Sequence, residues 1–265
     1  MLNNSSFHSF ALQHNAVITE DASTPFTLYF FKQPNVFVHY IDTDTYVNHN
    51  IQPNFFIDWL NKNQNTTTKK IQLWEDVWLN KNYLVTNRLQ SLLGKNKRIF
   101  ARDTTVHRID KSTADNFLTK HHLQGTTSAY YKFGLIHQNK IVAVATFSKA
   151  RTMYDGPVYY RSYELERFAT CSVINVIGGL SKLMKIFIET TQAKHIMTYI
   201  DRDWSSGEGF KKIGFVETET TLPQLFWINK NTHQRCFAKE ITHPGSAHVA
   251  VYNSGSLKMV FDNRK

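Results

Sequence analysis

The chain has 265 residues, of which 42% are hydrophobic, and it carries a formal net charge of +10. This hydrophobic fraction can build one large core or two modest ones, which argues against disorder on a large scale. Apolar runs of bilayer-spanning length and the regions of a signal peptide are both missing, so we expect a cytoplasmic protein that does not bind membranes. The positive charge favours acidic partners, with nucleic acid first among them.

The N-terminal part of the sequence predicts a polar segment followed by a small α/β domain. Residues 1–24 are polar and are expected to fray. Residues 25–78 combine short apolar runs such as NVFVHYI with helical patterns, and the polar stretch NQNTTTKK is typical of a linker. A basic helix and strand follow at 79–103. We therefore predict a small α/β domain with a basic connector over 25–103.

Basic residues are concentrated in and around this connector. A stripe of Lys and Arg can follow a phosphate backbone, so the connector is a candidate nucleic-acid contact. A solvated basic face is an equally open interpretation. The candidate contacts are Lys95, Lys97, Arg98, Arg102 and Arg108.

Residues 104–240 carry the pattern of a larger domain. Ser112–His122 predicts a helix, and the segment YYKFGLIHQNKIVAVATFSKA predicts a hairpin that turns at residues 138–140. Tyr163–Ala169 predicts a strand. On this strand Glu164 and Glu166 are two residues apart, so they point to the same face, and paired carboxylates in a cleft can raise one pKa toward neutrality and serve as a general base. The alternative is that both carboxylates are solvated or paired with nearby basic residues.

A helix is predicted to open at Gly178-Gly179, with Leu183, Met184 and Phe187 on one face. A glycine-rich first turn presents bare N–H groups and the positive end of the helix dipole, which is a candidate anion site. Ser181 adds a hydroxyl and Lys182 a positive charge, so a pyrophosphate fits this pattern. Ordinary helix-start chemistry is the alternative.

The next segment, IMTYIDRDWSSGEGFKKIGF, predicts a strand, an acidic turn and a short helix that ends at Gly214 before another strand. Asp201 and Asp203 in the turn are interpreted as a helix cap. Residues 241–265 contain AHVAVY and LKMVF between turn residues, which predicts a C-terminal tail or hairpin.

The segments ELERFATCSVINVIGGLSKLMKIFI and YIDRDWSSGEGFKKIGF, together with the hairpin, resemble the core of the GNAT acyltransferase family over roughly residues 104–240. The resemblance implies a mixed sheet flanked by helices, acetyl-CoA or another acyl-CoA as cofactor, and N-acyl transfer with Glu164 or Glu166 as the base. On the family's loop pattern Q/R-x-x-G-x-G/A, Asn175 takes the Gln/Arg position and Gly178 the first glycine. The implied cofactor-binding set is Asn175, Ile177, Gly178, Gly179, Ser181 and Lys182.

Three positions depart from the family pattern. Leu180 stands where the loop's last small residue is expected, and it would crowd the backbone approach to the cofactor. Phe210 replaces the Tyr that the family often uses as general acid, and Asp203 replaces a common Asn. These departures leave open whether the cofactor cleft is functional.

A second resemblance begins further upstream. It is carried by the segments IQLWEDVW, NRLQSLLGK and RIFAR, followed by the segments above. In this order they look like the junction between a Vsr-like nuclease of the PD-(D/E)XK class and a GNAT-like domain in phage and mobile-element homing endonucleases. The resemblance implies a degenerate nuclease at 25–103, a phage or mobile-element origin in a host cytoplasm, and DNA binding. The spacing of the local acids favours turn, cap and surface roles over Mg²⁺ ligation, and no metal site is predicted. These acids are Asp42, Asp44, Asp58, Glu75 and Asp76.

Two functions therefore remain in competition. The first is an acyl-CoA-dependent N-acyltransferase that acts on nucleic acid or another macromolecule. The second is a non-catalytic DNA-binding or accessory protein derived from a homing endonuclease, which Asn175, Leu180 and Phe210 favour. A working nuclease is a third and weaker interpretation.

Overall fold

A computed structural model describes residues 6–62 and 67–264. The chain divides into two compact units. Unit 1 contains the described residues up to Val85, with Ile200–Ser206 and Thr220–Leu257. Unit 2 contains Thr86–Tyr199 and Gly207–Glu219, with the described residues from Lys258 onwards. This division differs from the predicted contiguous domains, because residues 220–257 belong with the N-terminal unit.

The described residues form α-helices and β-strands, with several runs of consecutive strands. The α-helices are α1 (Ser6–Gln13), α2 (Thr43–Asn48), α3 (Phe55–Lys62), α4 (Glu75–Asn80), α5 (Asn82–Leu92), α6 (Lys111–His121), α7 (Gly179–Thr191) and α8 (Glu208–Lys211). The strands are β1 (Val17–Thr19), β2 (Thr27–Phe31), β3 (Val36–Ile41), β4 (Lys69–Trp74), β5 (Lys97–Phe100), β6 (Thr105–Arg108), β7 (Tyr131–His137), β8 (Lys140–Phe147), β9 (Arg151–Asp155), β10 (Val158–Thr170), β11 (Ile174–Ile177), β12 (His195–Asp201), β13 (Val216–Thr220), β14 (Leu225–Asn229), β15 (Arg235–Phe237), β16 (His248–Tyr252) and β17 (Ser256–Asp262).

Unit 1 is built on a four-stranded sheet in the order β1-β2-β3-β4, in which only β3 and β4 pair in parallel. A second sheet has the order β15-β14-β16. Apolar residues from both sheets meet in one buried cluster with residues from α2 and α3. The cluster contains Phe26, Ile41, Tyr46, Phe56, Trp74, Ile228 and Val251.

The N-terminal helix α1 belongs to this unit. Phe7 is fully buried, stacks on Tyr40 with 5.0 Å between ring centroids, and meets the edge of Trp78 at 5.0 Å. The indole N–H of Trp78 also donates to the Ser6 hydroxyl at 2.7 Å. The expectation of a frayed segment over 1–24 is therefore wrong for α1, because an apolar ring in a polar sequence anchors it. Residues 1–5 and the first half of the predicted linker NQNTTTKK, residues 63–66, lie outside the described residues.

Unit 2 is built on a large mixed sheet in the order β13-β17-β12-β10-β8-β7-β6, with β9 paired to the first half of β10. The predicted hairpin is present as β7 and β8, and Gln138 and Asn139 at its turn have φ values of 46° and 60°. Outside this sheet, β11 pairs in parallel with β5. The expected mixed α/β fold with a helix-flanked sheet is confirmed.

Helices α6 and α7 cover opposite faces of the unit 2 sheet. Phe117 and Leu118 of α6 pack with Val144 of β8. Phe187 of α7 stacks on Phe147 of the same strand, with centroids 3.8 Å apart and rings 3° from parallel. Side chains alternate between the faces of a strand, so Val144 and Phe147 lie on different faces. The predicted apolar face of α7 is confirmed, because Leu183, Met184 and Phe187 are buried.

The two C-terminal strands do not form the predicted hairpin. Strand β16 pairs with β14, whereas β17 lies between β13 and β12. The strand periodicity in AHVAVY and LKMVF is confirmed, but the pairing is wrong because each strand finds its partner in a different sheet. At the connection, the backbone of Gly255 has φ +69° and passes so close to the Thr221 carbonyl that a Cβ would lie 2.4 Å from its oxygen.

Across residues 6–62 and 67–264, none of the helices has the length and apolar composition that crossing a membrane would require.

Candidate active site

Two carboxylates lie near the middle of β10. Both Glu164 and Glu166 are partly buried. Burial raises the pKa of Glu164, and the negative charge of Glu166 raises it further. The ladder between β10 and β8 has an irregularity between Leu165 and Arg167, which is where Glu166 stands. The two predicted glutamates are therefore brought together and differ in their surroundings.

Glu164 is fixed by backbone hydrogen bonds, whereas its carboxylate makes only one long ion pair among the described residues. Its N–H donates to the Ser148 hydroxyl at 2.9 Å, and its carbonyl accepts from the Ser148 N–H at 2.9 Å. The nearest ion pair joins its Oε2 to the Arg151 guanidinium at 3.8 Å, and Arg151 is largely exposed. A partly buried carboxylate with one long ion pair can accept a proton, which suits a general base.

Glu166 has closer partners. Its Oε2 accepts a hydrogen bond from the Thr127 hydroxyl, and its carbonyl accepts from Arg167 Nη1 at 2.7 Å. Burial lowers the pKa of the Arg167 guanidinium, and the charges of both glutamates oppose that effect. Arg167 Nε is buried without a hydrogen-bond partner. The group thus contains two acids and one partly satisfied buried cation.

Beside these glutamates, strands β10 and β12 stop pairing. Among the described residues, their parallel register joins only 162–164 with 195–197, although both strands continue. Just beyond it, the Thr198 hydroxyl donates to the Leu165 carbonyl at 2.9 Å. Past this point the backbone of β10 pairs with β8 and leaves its other edge without β12. An unpaired strand edge offers N–H and C=O groups to an extended ligand.

The glycine pair at the start of α7 has a structural explanation at both positions. Gly178 is exposed and has φ +77°, a conformation that side chains rarely adopt. Gly179 is buried, and a Cβ there would approach the Val176 side chain to 3.1 Å and Leu135 to 3.3 Å. The first N–H groups of any helix lack intrahelical acceptors, so this end can also receive an anion.

Two predicted cofactor-binding side chains have partners within unit 2. Asn175 Oδ1 accepts from the Ser91 hydroxyl at 2.7 Å and lies 3.4 Å from Asn96 Nδ2. Lys182 Nζ donates to the Ala101 carbonyl at 2.8 Å and also to the Thr104 carbonyl. Ile177 and Ser181 are exposed. The structure therefore keeps Gly178, Ile177 and Ser181 accessible and uses Asn175 and Lys182 for internal bonds.

The parallel pairing of β11 with β5 joins two sets of residues that the sequence treated as separate. Asn175 is in register with Arg98, and Ile177 with Phe100. Lys97, Arg98 and Phe100 are exposed, and the Arg102 guanidinium lies 4.7 Å from the centroid of the Phe100 ring. We call Lys97, Arg98, Phe100 and Arg102 the basic strand. It lies alongside the segment that leads into α7.

The remaining predicted nucleic-acid contacts lie elsewhere in unit 2. Lys95 is exposed in the loop before β5. Arg108 ends β6, where its guanidinium lies 5.7 Å from the centroid of the Tyr131 ring. The five predicted contacts are all exposed, and their binding of nucleic acid stays a prediction.

Two of the three departures from the family pattern, Asp203 and Phe210, have structural roles. Asp203 is buried in unit 1, where Oδ2 accepts from the Trp74 indole N–H at 3.0 Å and Oδ1 accepts from the Ser254 N–H at 3.1 Å. Burial raises its pKa. Asp201 Oδ1 accepts from the Asp203 N–H at 3.0 Å, which is a turn bond. Asp203 is thus an internal anchor, and the interpretation of it as a cap is wrong. In unit 2, Phe210 packs edge-on against Phe215 at 5.6 Å.

Three acids of the nuclease interpretation bind backbone groups or a cation in unit 1. Asp42 Oδ1 accepts from the Thr45 N–H at 2.8 Å and caps α2. Glu75 accepts from the Thr43 N–H at 3.1 Å, and Asp76 forms a bidentate pair with Arg235 with both distances 2.8 Å. Within the residues that the structure describes, no group of three or more His, Cys, Asp or Glu side chains has a geometry that could hold a metal ion.

Sequence reasoning missed several residues around the glutamates. Ser148 and Thr127 lie in loops and Thr198 lies on another strand, and no local pattern connects them with Glu164. The hairpin of β9 with the start of β10 was also missed. Its signal was present, because RTMYD and VYYRS flank the turn residues Gly156-Pro157.

Comparisons with known proteins found a similarity of fold in solved structures. No family model and no curated protein matches the chain. A structure described as histone acetyltransferase HPA2 and related acetyltransferase from Corynebacterium glutamicum is 12% identical, with a TM-score of 0.40 over 62% of this chain and 98% of that one. A Bacillus subtilis acetyltransferase in complex with CoA is 10% identical, with a TM-score of 0.39 over 60% and 98%. Ard1 from Thermoplasma volcanium is 13% identical, with a TM-score of 0.36 over 62% and 99%. At these values the likeness carries no argument about activity.

Proposed function

We propose that unit 2 is an acyl-CoA-dependent N-acyltransferase that acts on an amine of nucleic acid. The observation that carries the proposal is the position of Glu164, a partly buried carboxylate with a raised pKa beside the point where β10 and β12 cease to pair. A phage or mobile-element origin stays a prediction from the sequence resemblance.

Acyl-CoA, when bound, supplies an acyl group already activated as a thioester. Glu164 accepts the proton that the acceptor amine loses as its nitrogen forms a bond to the acyl carbon. The raised pKa makes Glu164 a stronger base than an ordinary glutamate, so proton transfer is better matched to neutral pH. Arg151 and Arg167 oppose this rise and keep a charged Glu164 accessible.

The protein needs no tyrosine acid at position 210 for the second half of the reaction. A thiol has a pKa of about 8.5, so a thiolate is a good leaving group when the C–S bond breaks. Glu164 can return its proton to the departing sulfur, which balances the step. The unpaired edge of β10 can donate an N–H toward the oxygen that gains negative charge.

The residues near the start of α7 fit the phosphates of such a cofactor. Gly178 and Ser181 are exposed there, and the basic strand supplies Lys97, Arg98 and Arg102 as cations. Helix N-termini and arginine guanidinium groups both bind phosphate oxygens. In this arrangement Arg98 and Arg102 take over the roles that the sequence resemblance gave to Asn175 and Lys182.

Calorimetric titration of acetyl-CoA and of CoA tests this proposal. We expect acetyl-CoA to bind the natural chain with micromolar affinity. In Gly178→Trp the indole would occupy the helix start, so we expect the affinity to fall at least about tenfold, which corresponds to about 1.4 kcal/mol. Gly125→Trp is the matched control, since Gly125 has a similar φ of +67° in unit 2 and open space around it. An absence of binding to the natural chain would overturn the proposal.

The non-catalytic alternative keeps one specific observation in its favour. Asn175 and Lys182, two of the side chains that would hold phosphate, are hydrogen-bonded within unit 2. If the cleft is closed, acetyl-CoA will not bind, and nucleic-acid binding will be the remaining activity. The same titration therefore separates the two functions.

A further inference from the structure

Strand β9 and the first residues of β10 form a two-stranded arm, residues 149–162, in unit 2. The register pairs Tyr154 with Tyr159 and Thr152 with Arg161. All five residues of β9 are exposed, and so are most residues of the facing strand. The arm therefore buries little of its own surface, and its side chains are available to a partner.

Two tyrosine rings dominate one face of the arm. Tyr154 and Tyr159 are 73% and 71% exposed. Residues directly opposite each other in an antiparallel ladder share a face, so the two rings form one aromatic surface. Aromatic surface left in water at this level is typical of an interaction site, because burying it in a core would be favourable.

Basic residues accompany these rings. Arg161 is exposed on the same face, two residues after Tyr159. At the base of the arm, Lys149 Nζ lies 5.0 Å from the ring centroid of Tyr130, which is itself 48% exposed. The one acid of the arm's strands, Asp155, has the Arg264 guanidinium 3.8 Å away. The arm thus presents aromatic rings in a positive field, on a chain of net charge +10.

We propose that the arm binds single-stranded nucleic acid, with bases stacked on Tyr154 and Tyr159 and phosphates held by Arg161 and Lys149. Sequence-tolerant binding of single strands uses this combination of rings and cations. A duplex keeps its bases stacked on each other and offers the rings no free base face. The charge also disfavours a basic or purely apolar partner.

The inference goes beyond the proposed function and does not rest on it. Side chains alternate between the faces of a strand, so Tyr159 and Arg161 lie on the face of β10 opposite Glu164. The arm is therefore a binding surface separate from the candidate base.

Fluorescence anisotropy with a short labelled single-stranded DNA, and with the same sequence as duplex, tests the arm in the full chain. We expect the single strand to bind more tightly than the duplex. Tyr154→Ala with Tyr159→Ala should weaken binding by at least about 30-fold, and the paired Phe substitutions should retain it because they keep the stacking surface. Arg161→Ala should reduce the slope of log binding constant against log salt concentration by about 1, which corresponds to one lost phosphate contact. Tyr199→Ala is the control, because Tyr199 is an exposed tyrosine on a different strand.

Three results would overturn the inference: no binding of the single strand at low salt, equal binding by the double alanine variant, or a preference for duplex. Self-association through the arm, seen as a dimer in light scattering that the double variant abolishes without changing DNA affinity, would also overturn it. Acetyl-CoA titration of the same variants separates the two proposals. If a variant binds acetyl-CoA normally but no longer binds DNA, the defect lies in the arm. If the natural chain binds no acetyl-CoA but binds single-stranded DNA, only the acyltransferase proposal is refuted.

Discussion

Units 1 and 2 each bury acidic side chains, but they satisfy them differently. In unit 1, Asp76 is almost fully buried and forms a bidentate pair with Arg235, whose guanidinium also lies 4.7 Å from the centroid of Trp74. Asp203 accepts hydrogen bonds at both oxygens. In unit 2, Glu164 has a single long ion pair with an exposed arginine. Both oxygens of Asp76 and of Asp203 are already engaged, whereas Glu164 makes only the long ion pair within the described part of the chain.

The number of bonds that a carboxylate receives distinguishes structural acids from candidate catalytic acids better than burial does. A raised pKa occurs in both units, at Asp203 and at Glu164, with burial as the main cause. Perturbed carboxyls are therefore not a sufficient sign of catalysis. The number of hydrogen bonds that the carboxylate already receives is the better criterion.

Asp76→Ala should lower the free energy of unfolding by about 3–5 kcal/mol, because it leaves the half-buried Arg235 guanidinium without the buried carboxylate that neutralises it. Chemical denaturation of the full chain measures this loss. Glu208→Ala is the control, since it breaks an exposed pair with Lys211 and should cost at most about 1 kcal/mol. A loss at Asp76 as small as the control would mean that the bidentate pair is not structural.

Glu164→Gln should reduce kcat/KM for acyl transfer by about 10²- to 10⁴-fold, because the amide cannot accept the proton from the amine. Unfolding measurements should change little, since the side chain receives few bonds. Glu189→Gln, on an exposed turn of α7, is the control and should leave kcat/KM unchanged. An equal loss of stability and activity in Glu164→Gln would assign this residue to structure.

Glu166→Gln should move the acidic limb of the pH profile of kcat/KM toward lower pH. Glu164 must be deprotonated to act, so activity falls as the pH drops below its pKa, which lies above the usual glutamate range. Removing the Glu166 charge removes the second-largest cause of that rise. An unchanged profile would show that the two carboxylates do not influence each other during turnover.

Arg151→Gln should move the same limb slightly toward higher pH, because Arg151 lowers the pKa of Glu164. The ion pair is long and largely exposed, so solvent screens it and the shift should be smaller than that in Glu166→Gln. The acidic limb should therefore move in opposite directions in Glu166→Gln and Arg151→Gln if Glu164 is the titrating base. A shift of Arg151→Gln toward lower pH would contradict the assignment of Glu164 as the titrating base.

The sequence predicted those parts of the fold that are encoded locally. Helix α7 followed from the spacing of Leu183, Met184 and Phe187, and the β7–β8 hairpin followed from Gln138 and Asn139. Glu164 and Glu166 were found because strand periodicity places both on one short segment. The raised pKa of Glu164 matches the expectation for paired carboxylates. Their catalytic role stays a prediction.

The sequence could not predict contacts between distant segments. The pairing of β5 with β11 brings the basic strand beside the start of α7, and no periodicity in either segment specifies that register. The burial of Asp203 depends on Trp74 and Ser254, which lie far from it along the chain. The sequence of β17 is compatible with a hairpin, and its true position between β13 and β12 depends on strands that are distant in sequence.

The chain passes between the two units after Val85, Tyr199, Ser206, Glu219 and Leu257. A polypeptide cut after Val85 would contain Asp76 and Trp74 but would lack Arg235 and Asp203, which partner them. Neither unit can therefore be made from one continuous piece of the gene. Recombination that exchanges only the first half of the coding sequence would separate buried partners, so the two units have to be inherited together.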